Sequence, residues 1–173
     1  EPGSMSIVVS PRAASGFVVA VLLTLVVAAG AGPAGAARPF TWPLEPRPAV
    51  ARGFDPPDHD WLPGHRGVDL ATQPGRTVLA AGEGVVVFAG VVAGRPVVSV
   101  DHPGGLRTTY EPVEASVTAG RRVGRGEPIG TVVAGHEGCP TAACLHWGLR
   151  RGRDRYLDPL PLVQRPVIRL LPS

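Results

Sequence analysis

The chain has 173 residues with 17 basic and 14 acidic side chains, a formal net charge of +3, and 44% hydrophobic content. Every basic residue is an arginine, and they are spread along the chain. So mild and scattered an excess excludes a nucleic-acid footprint but is compatible with anionic wall polymers. The length allows one ordinary domain and leaves no room for a second core.

In chain order, Glu1-Pro2-Gly3-Ser4 precedes the only methionine, Met5, so residues 1–4 read as a cloning scar. Residues 5–36 read as an export signal. Arg12 supplies the basic region, Phe17 to Ala29 the apolar region, and Ala34-Gly35-Ala36 a small-residue cleavage site. A membrane anchor is the alternative. The apolar run falls short of the roughly 20 residues a span needs, and Gly, Pro and Ala follow it rather than basic stop-transfer residues. Cleavage is therefore expected, with no stable membrane span afterwards and a mature chain in the cell envelope or outside the cell. That mature chain keeps a net charge of +3.

Residues 37–53 form a proline-rich lead-in segment, with Pro39, Pro43, Pro46 and Pro48 favouring extended backbone. The domain proper is expected over residues 54–160, with 161–173 as a C-terminal tail. It opens on a loop, Phe54 to Pro63, whose Asp55, Asp58, His59 and Asp60 either form a polar surface or rim a cleft. Next comes His65-Arg66-Gly67-Val68-Asp69, an imidazole and a carboxylate four residues apart, with Gly67 between them to let the backbone turn. A second imidazole, His146, follows much later in Cys144-Leu145-His146-Trp147-Gly148. Two histidines and an aspartate are a mixed donor set that suits zinc, with a fourth position left for water. His65 and Asp69 alone also fit an ordinary hydrogen-bonded loop.

After Asp69 the chain becomes short β-branched runs separated by Gly and Pro. Thr77 to Ala80, Val85 to Ala89, Val97 to Asp101, Leu106 to Glu111 and Ile129 to Val133 are predicted strands. Pro74-Gly75, Gly82, Gly90, Gly94, Pro103-Gly104-Gly105 and Gly120 mark turns between them. No window carries helical periodicity over three turns. The predicted fold is all-β, a compact sandwich or barrel-like core of short antiparallel strands with long loops and few or no helices. Val117 to Ile129 also resembles the hairpin of biotinyl and lipoyl carriers, but those attach their cofactor through a lysine and this chain has none. Arg150, Arg151, Arg153 and Arg155 form the only dense basic cluster, read as a solvated face after the last strand.

Taken together, His65-Arg66-Gly67-Val68-Asp69, Tyr110-Glu111-Pro112-Val113, Gly126-Glu127-Pro128-Ile129-Gly130 and Cys144-Leu145-His146-Trp147 resemble the lysostaphin-type zinc endopeptidases of peptidoglycan. The resemblance runs from Thr41 to Pro159. It implies Zn2+ on His65, Asp69 and His146, and peptidoglycan cross-bridge peptides as substrate. It also implies an acid/base pair of histidines at the positions here held by Pro112 and Cys144. Proline has no proton to trade. Cys144 has one cysteine partner, Cys139, and in an exported chain a disulfide between them is expected, which leaves neither a base nor a good ligand. His136, in the loop before Cys139, is the substitute base this reading favours over His59. Glu111 is set aside because strand alternation turns it away from Pro112. His102 is read as a structural residue at a strand end.

Two function classes follow. One is an exported, attenuated zinc metallopeptidase. The other is a catalytically inactive, zinc-containing module that binds wall peptides or regulates a partner wall hydrolase. Either is expected to be a monomer.

Overall fold

The computed structural model describes residues 38–59, 61–135 and 138–164, together with Gly3. The expected signal segment, Asp60, His136 and most of the expected tail lie outside the described residues. The chain divides into two units, Glu1–Gly35 and Ala36–Ser173, and the fold below belongs to the second.

Eleven strands and one short helix are found among the described residues. In order they are β1 (Val50–Arg52), β2 (Gly67–Thr72), β3 (Thr77–Leu79), β4 (Gly84–Val92), β5 (Arg95–His102) and β6 (Leu106–Glu111). Then come β7 (Val113–Ala115), β8 (Arg122–Val123), β9 (Pro128–Val132), β10 (Ala143–Arg151), β11 (Arg155–Leu157) and α1 (Leu160–Val163). The larger sheet runs β1-β2-β10-β6-β5-β4-β8, with β11 paired to β10, and the smaller runs β3-β9-β7. All pairings are antiparallel. The protein is all-β, as predicted. Among the described residues no helix is long and apolar enough to cross a membrane.

Alternation along the strands of the larger sheet separates its two faces. On one, Val68, Trp147, Tyr110 and Val98 lie side by side across β2, β10, β6 and β5, all fully buried. They meet Val78, Ile129, Val113 and Val132 of the smaller sheet in one core. Burial of each such side chain contributes about 1.5–3 kcal/mol. On the opposite face, one residue out of phase, Asp69, His146 and Glu111 form the matching row across β2, β10 and β6. Shifting β10 by one residue would drive His146 into the core and Trp147 out of it, so packing of the core fixes the register of the polar row.

The structure adds β2, β7, β8, β10 and β11 to the predicted strands and refines the expected elements elsewhere. β4 continues to Val92 because its pairing with β5 runs out to Val92↔Arg95. The arginine cluster belongs to the β10–β11 hairpin rather than following the last strand. The one-turn helix α1 starts where Asp158 Oδ1 accepts the Leu160 N–H at 2.9 Å. The proline-rich segment contributes β1 and the buried Leu44.

His102 closes β5 as a structural residue. Its Nδ1 donates to the Glu83 carbonyl at 2.7 Å, and Nε2 lies 2.7 Å from Thr108 Oγ1. Thr108 in turn bonds Tyr110 Oη, which accepts the Ala81 N–H. Burial holds the His102 imidazole below its usual value of 6.5. The unfolded chain therefore takes up this proton first. The neutral imidazole's contribution to stability is complete above about pH 6.5 and is lost as pH falls from there through the folded-state value. The gap in melting temperature between wild type and His102→Gln should accordingly narrow from pH 7 to pH 5. A gap that stays constant would show that His102 is not titrating against the fold.

Candidate metal centre

Three of the residues singled out in the sequence are brought together by neighbouring strands. Asp69 on β2 and His146 on β10 are directly opposed in the ladder. His65 stands two residues before β2, fixed by a backbone bridge to Asp55. His65 Nε2 and His146 Nδ1 each lie 2.9 Å from Asp69 Oδ1, and 3.1 Å from one another. His65 and Asp69 are buried, while the His146 side chain keeps 20% of its exposure.

The tautomer of His65 follows from its second contact. Its Nδ1 donates to the Gly53 carbonyl at 2.5 Å, which leaves the lone pair on Nε2. That lone pair, the Nδ1 edge of His146 and a carboxylate oxygen converge on one point. One cation would accept all three as ligands. Tetrahedral zinc with ligands at about 2.0–2.1 Å would hold donor atoms about 3.3 Å apart, a few tenths of an ångström beyond the spacing found. The donor set therefore fits zinc with only a slight opening, and His146 is the most exposed of the three.

Gly67 serves a different purpose from the one expected. It opens β2 rather than forming a turn, and a Cβ on it would sit 2.6 Å from His146 Nε2 and 2.7 Å from the Trp147 carbonyl oxygen. The His146 ring lies over this glycine. Clearance, not backbone freedom, is what the position needs.

Glu111 is also placed differently. It opposes His146 in the β10–β6 ladder, so both side chains rise from the same face of the sheet, Cβ atoms about 4.5–5.5 Å apart. Its Oε1 forms an ion pair with Arg95, 2.9 Å from Nε. The buried Pro112 lies just past the end of β6, and its carbonyl accepts the Val133 N–H. It begins the passage into β7 and the other sheet, so alternation along β6 does not carry through it.

Cys144, two residues before His146 on the same strand, is fully buried and joined to Cys139 as expected, with Cα atoms 5.7 Å apart. Among the described residues there is no free cysteine. His59 is not brought to the centre; it stacks on the exposed Trp61 at 4.7 Å in the loop before it.

A β-sheet thus carries a His-Asp-His donor set that could hold a metal ion, at the mouth of a groove. Residues 63–159 match Peptidase family M23, and the chain belongs to that family. It is 58% identical over 134 residues to Uncharacterized protein Rv2891 of Mycobacterium tuberculosis, covering 76% of this chain and 54% of the relative. The chain thus spans about half the length of the curated relatives it matches. Among solved structures, Csd3 of Helicobacter pylori is similar at TM-score 0.59 and 27% identity, covering 77% of this chain and 37% of that one. A zinc containing peptidase from Vibrio cholerae is similar at TM-score 0.57 and 26% identity, covering 69% and 39%. The domain is thus a cell-wall peptidase-like domain of the lysostaphin type.

Proposed function

We propose that this protein is an exported zinc peptidase of peptidoglycan peptides, working at an attenuated rate. The observation that carries this reading is the convergence of His65 Nε2, Asp69 Oδ1 and His146 Nδ1 within about 3 Å of one another beside an open groove. Zinc bound there would supply a Lewis acid that lowers the pKa of a coordinated water to about 7. The chain's own residues supply the rest. Gly53 holds the tautomer of His65 through its carbonyl, and Gly67 leaves room for the His146 ring. Glu111 is the carboxylate we assign to take the proton from the attacking water, through the oxygen that Arg95 does not hold. The Cys139–Cys144 disulfide supports export, since such bonds persist in oxidising compartments.

Attenuation follows from two side chains. Neither Pro112 nor an oxidised Cys144 can act as an acid or base. One positioned acid/base group is typically worth roughly 10²–10⁴-fold in rate. The same two residues favour a second reading, a zinc-containing module that binds wall peptides or regulates a partner hydrolase without turnover. Release of peptide fragments from peptidoglycan separates the two. The peptidase reading expects slow hydrolysis that a zinc chelator stops, that added zinc restores, and that Glu111→Gln slows about a hundredfold with zinc content unchanged. Wall binding without any zinc-dependent release would leave the binding module instead.

A further inference from the structure

Beside the metal centre the larger sheet carries a groove of about 630 Å³. His146 and Glu111 stand in it, with Phe88 and Val92 on the β4–β5 side and four arginines, Arg66, Arg95, Arg107 and Arg150, around it. Three of these arginines are committed. Arg66 donates to the Leu62 carbonyl and lies over the Tyr156 ring. Arg95 holds Glu111, and Arg107 holds both oxygens of Asp101, whose carboxyl it keeps below the usual range.

Arg150 is different. Its Nη1 donates to the Arg153 carbonyl at 3.2 Å, its buried Nε has no acceptor, and no carboxylate bonds it among the described residues. Asp101 feels its charge, but both oxygens of that carboxylate are taken by Arg107. Arg150 Nη2 makes no hydrogen bond among the described residues, and a carboxylate is the partner whose two oxygens match the two Nη groups of a guanidinium. Strand alternation puts Arg150 on the same face of β10 as His146, four residues along and so about 13 Å away.

We propose that this groove selects peptides bearing a carboxylate, rather than neutral glycine-rich bridges, with Arg150 as the group that reads it. This rests on the peptidase reading for the identity of the site, but not on turnover. The spacing adds a positional rule. An extended peptide advances about 3.3 Å per residue, so the recognised carboxylate lies three or four residues from the bond held over His65, Asp69 and His146. Phe88 and Val92, both partly exposed, offer the apolar wall against which the intervening side chains pack.

The test is a binding measurement that needs no catalysis. Two dye-labelled, C-terminally amidated alanine-rich octapeptides, identical except for one Glu or Gln at the fourth position, are titrated by fluorescence anisotropy. The protein is the full chain, with zinc and with chelator. The Glu peptide should bind about tenfold more tightly or better at low salt, with the advantage shrinking as salt rises. Arg150→Gln should erase the difference and Arg150→Lys should keep part of it. Arg155→Gln, on the same hairpin but outside the groove, should leave it intact. Equal affinities, no binding of either peptide, or discrimination that survives Arg150→Gln in a protein of unchanged melting temperature would overturn the proposal. If discrimination is found but the zinc-loaded protein releases no fragments from peptidoglycan, the peptidase reading fails while the groove's selectivity stands. Zinc-dependent hydrolysis of both peptides at equal rates and with equal affinities would instead uphold the peptidase reading and overturn the selectivity.

Discussion

Asp69→Ala is expected to leave the purified protein without tightly held zinc, whereas wild type retains about one ion per chain after dialysis. Asp69 Oδ1 reaches both imidazoles at 2.9 Å, so its removal takes away a ligand and the anchor of the other two. Loss of groups that merely orient ligands weakens metal binding by about 10–100-fold, and loss of a ligand should exceed that range. Gly67→Ala makes the same prediction by another route. The new methyl would overlap the His146 ring, and the backbone carbonyl of Trp147 blocks any easy retreat. Its zinc affinity should fall about 10–100-fold or more while all three donors are still present. Elemental analysis after dialysis measures both. Zinc retained equally by wild type, Asp69→Ala and Gly67→Ala would place the metal elsewhere or nowhere.

The largest expected gain comes from Pro112→His combined with Cys144→His, with Cys139→Ser to remove the orphan thiol. If attenuation reflects the missing acid/base groups, the triple variant should hydrolyse peptidoglycan peptides at least about a hundredfold faster than wild type. The gain need not equal the product of two such factors, because groups that act as a unit are not additive. The disulfide closes a short loop, worth on the order of 2 kcal/mol by the chain-entropy estimate, so the melting temperature is measured beside the rate. A triple variant that folds, binds zinc and is no faster than wild type would place the rate limit elsewhere.

How far the sequence is readable depends on how local each signal is. His65, Asp69 and His146 stand out as a set only through the run of motifs around them, since residue type alone also fits a hydrogen-bonded loop; alternation along a strand is enough to set His146 and Cys144 on one face. Glu111 fails the same reasoning for an instructive cause. Alternation correctly opposes it to Tyr110, but Tyr110 faces the core, so the site lies on the Glu111 side. Pro112 breaks the pattern because the chain leaves one sheet there and enters the other. The role of Gly67 depends on His146, far along the chain, and no local pattern carries it. Arg150 is within reach of sequence reasoning, since Cys144, His146, Gly148 and Arg150 alternate along one run. Grouping it with Arg151, Arg153 and Arg155 as a charge cluster hides that regularity. The strands themselves are legible wherever β-branched runs lie between Gly and Pro. The extension of β4 is not, because its pairing with β5 sets its length.

X-ray absorption at the zinc edge of the loaded wild-type protein tests the central claim most directly. Two imidazoles, one carboxylate and a water predict a first shell of nitrogen and oxygen at about 2.0–2.2 Å and no sulfur, with Cys144 held in its disulfide. A sulfur shell at about 2.3 Å, or a spectrum without imidazole scattering, would contradict the account.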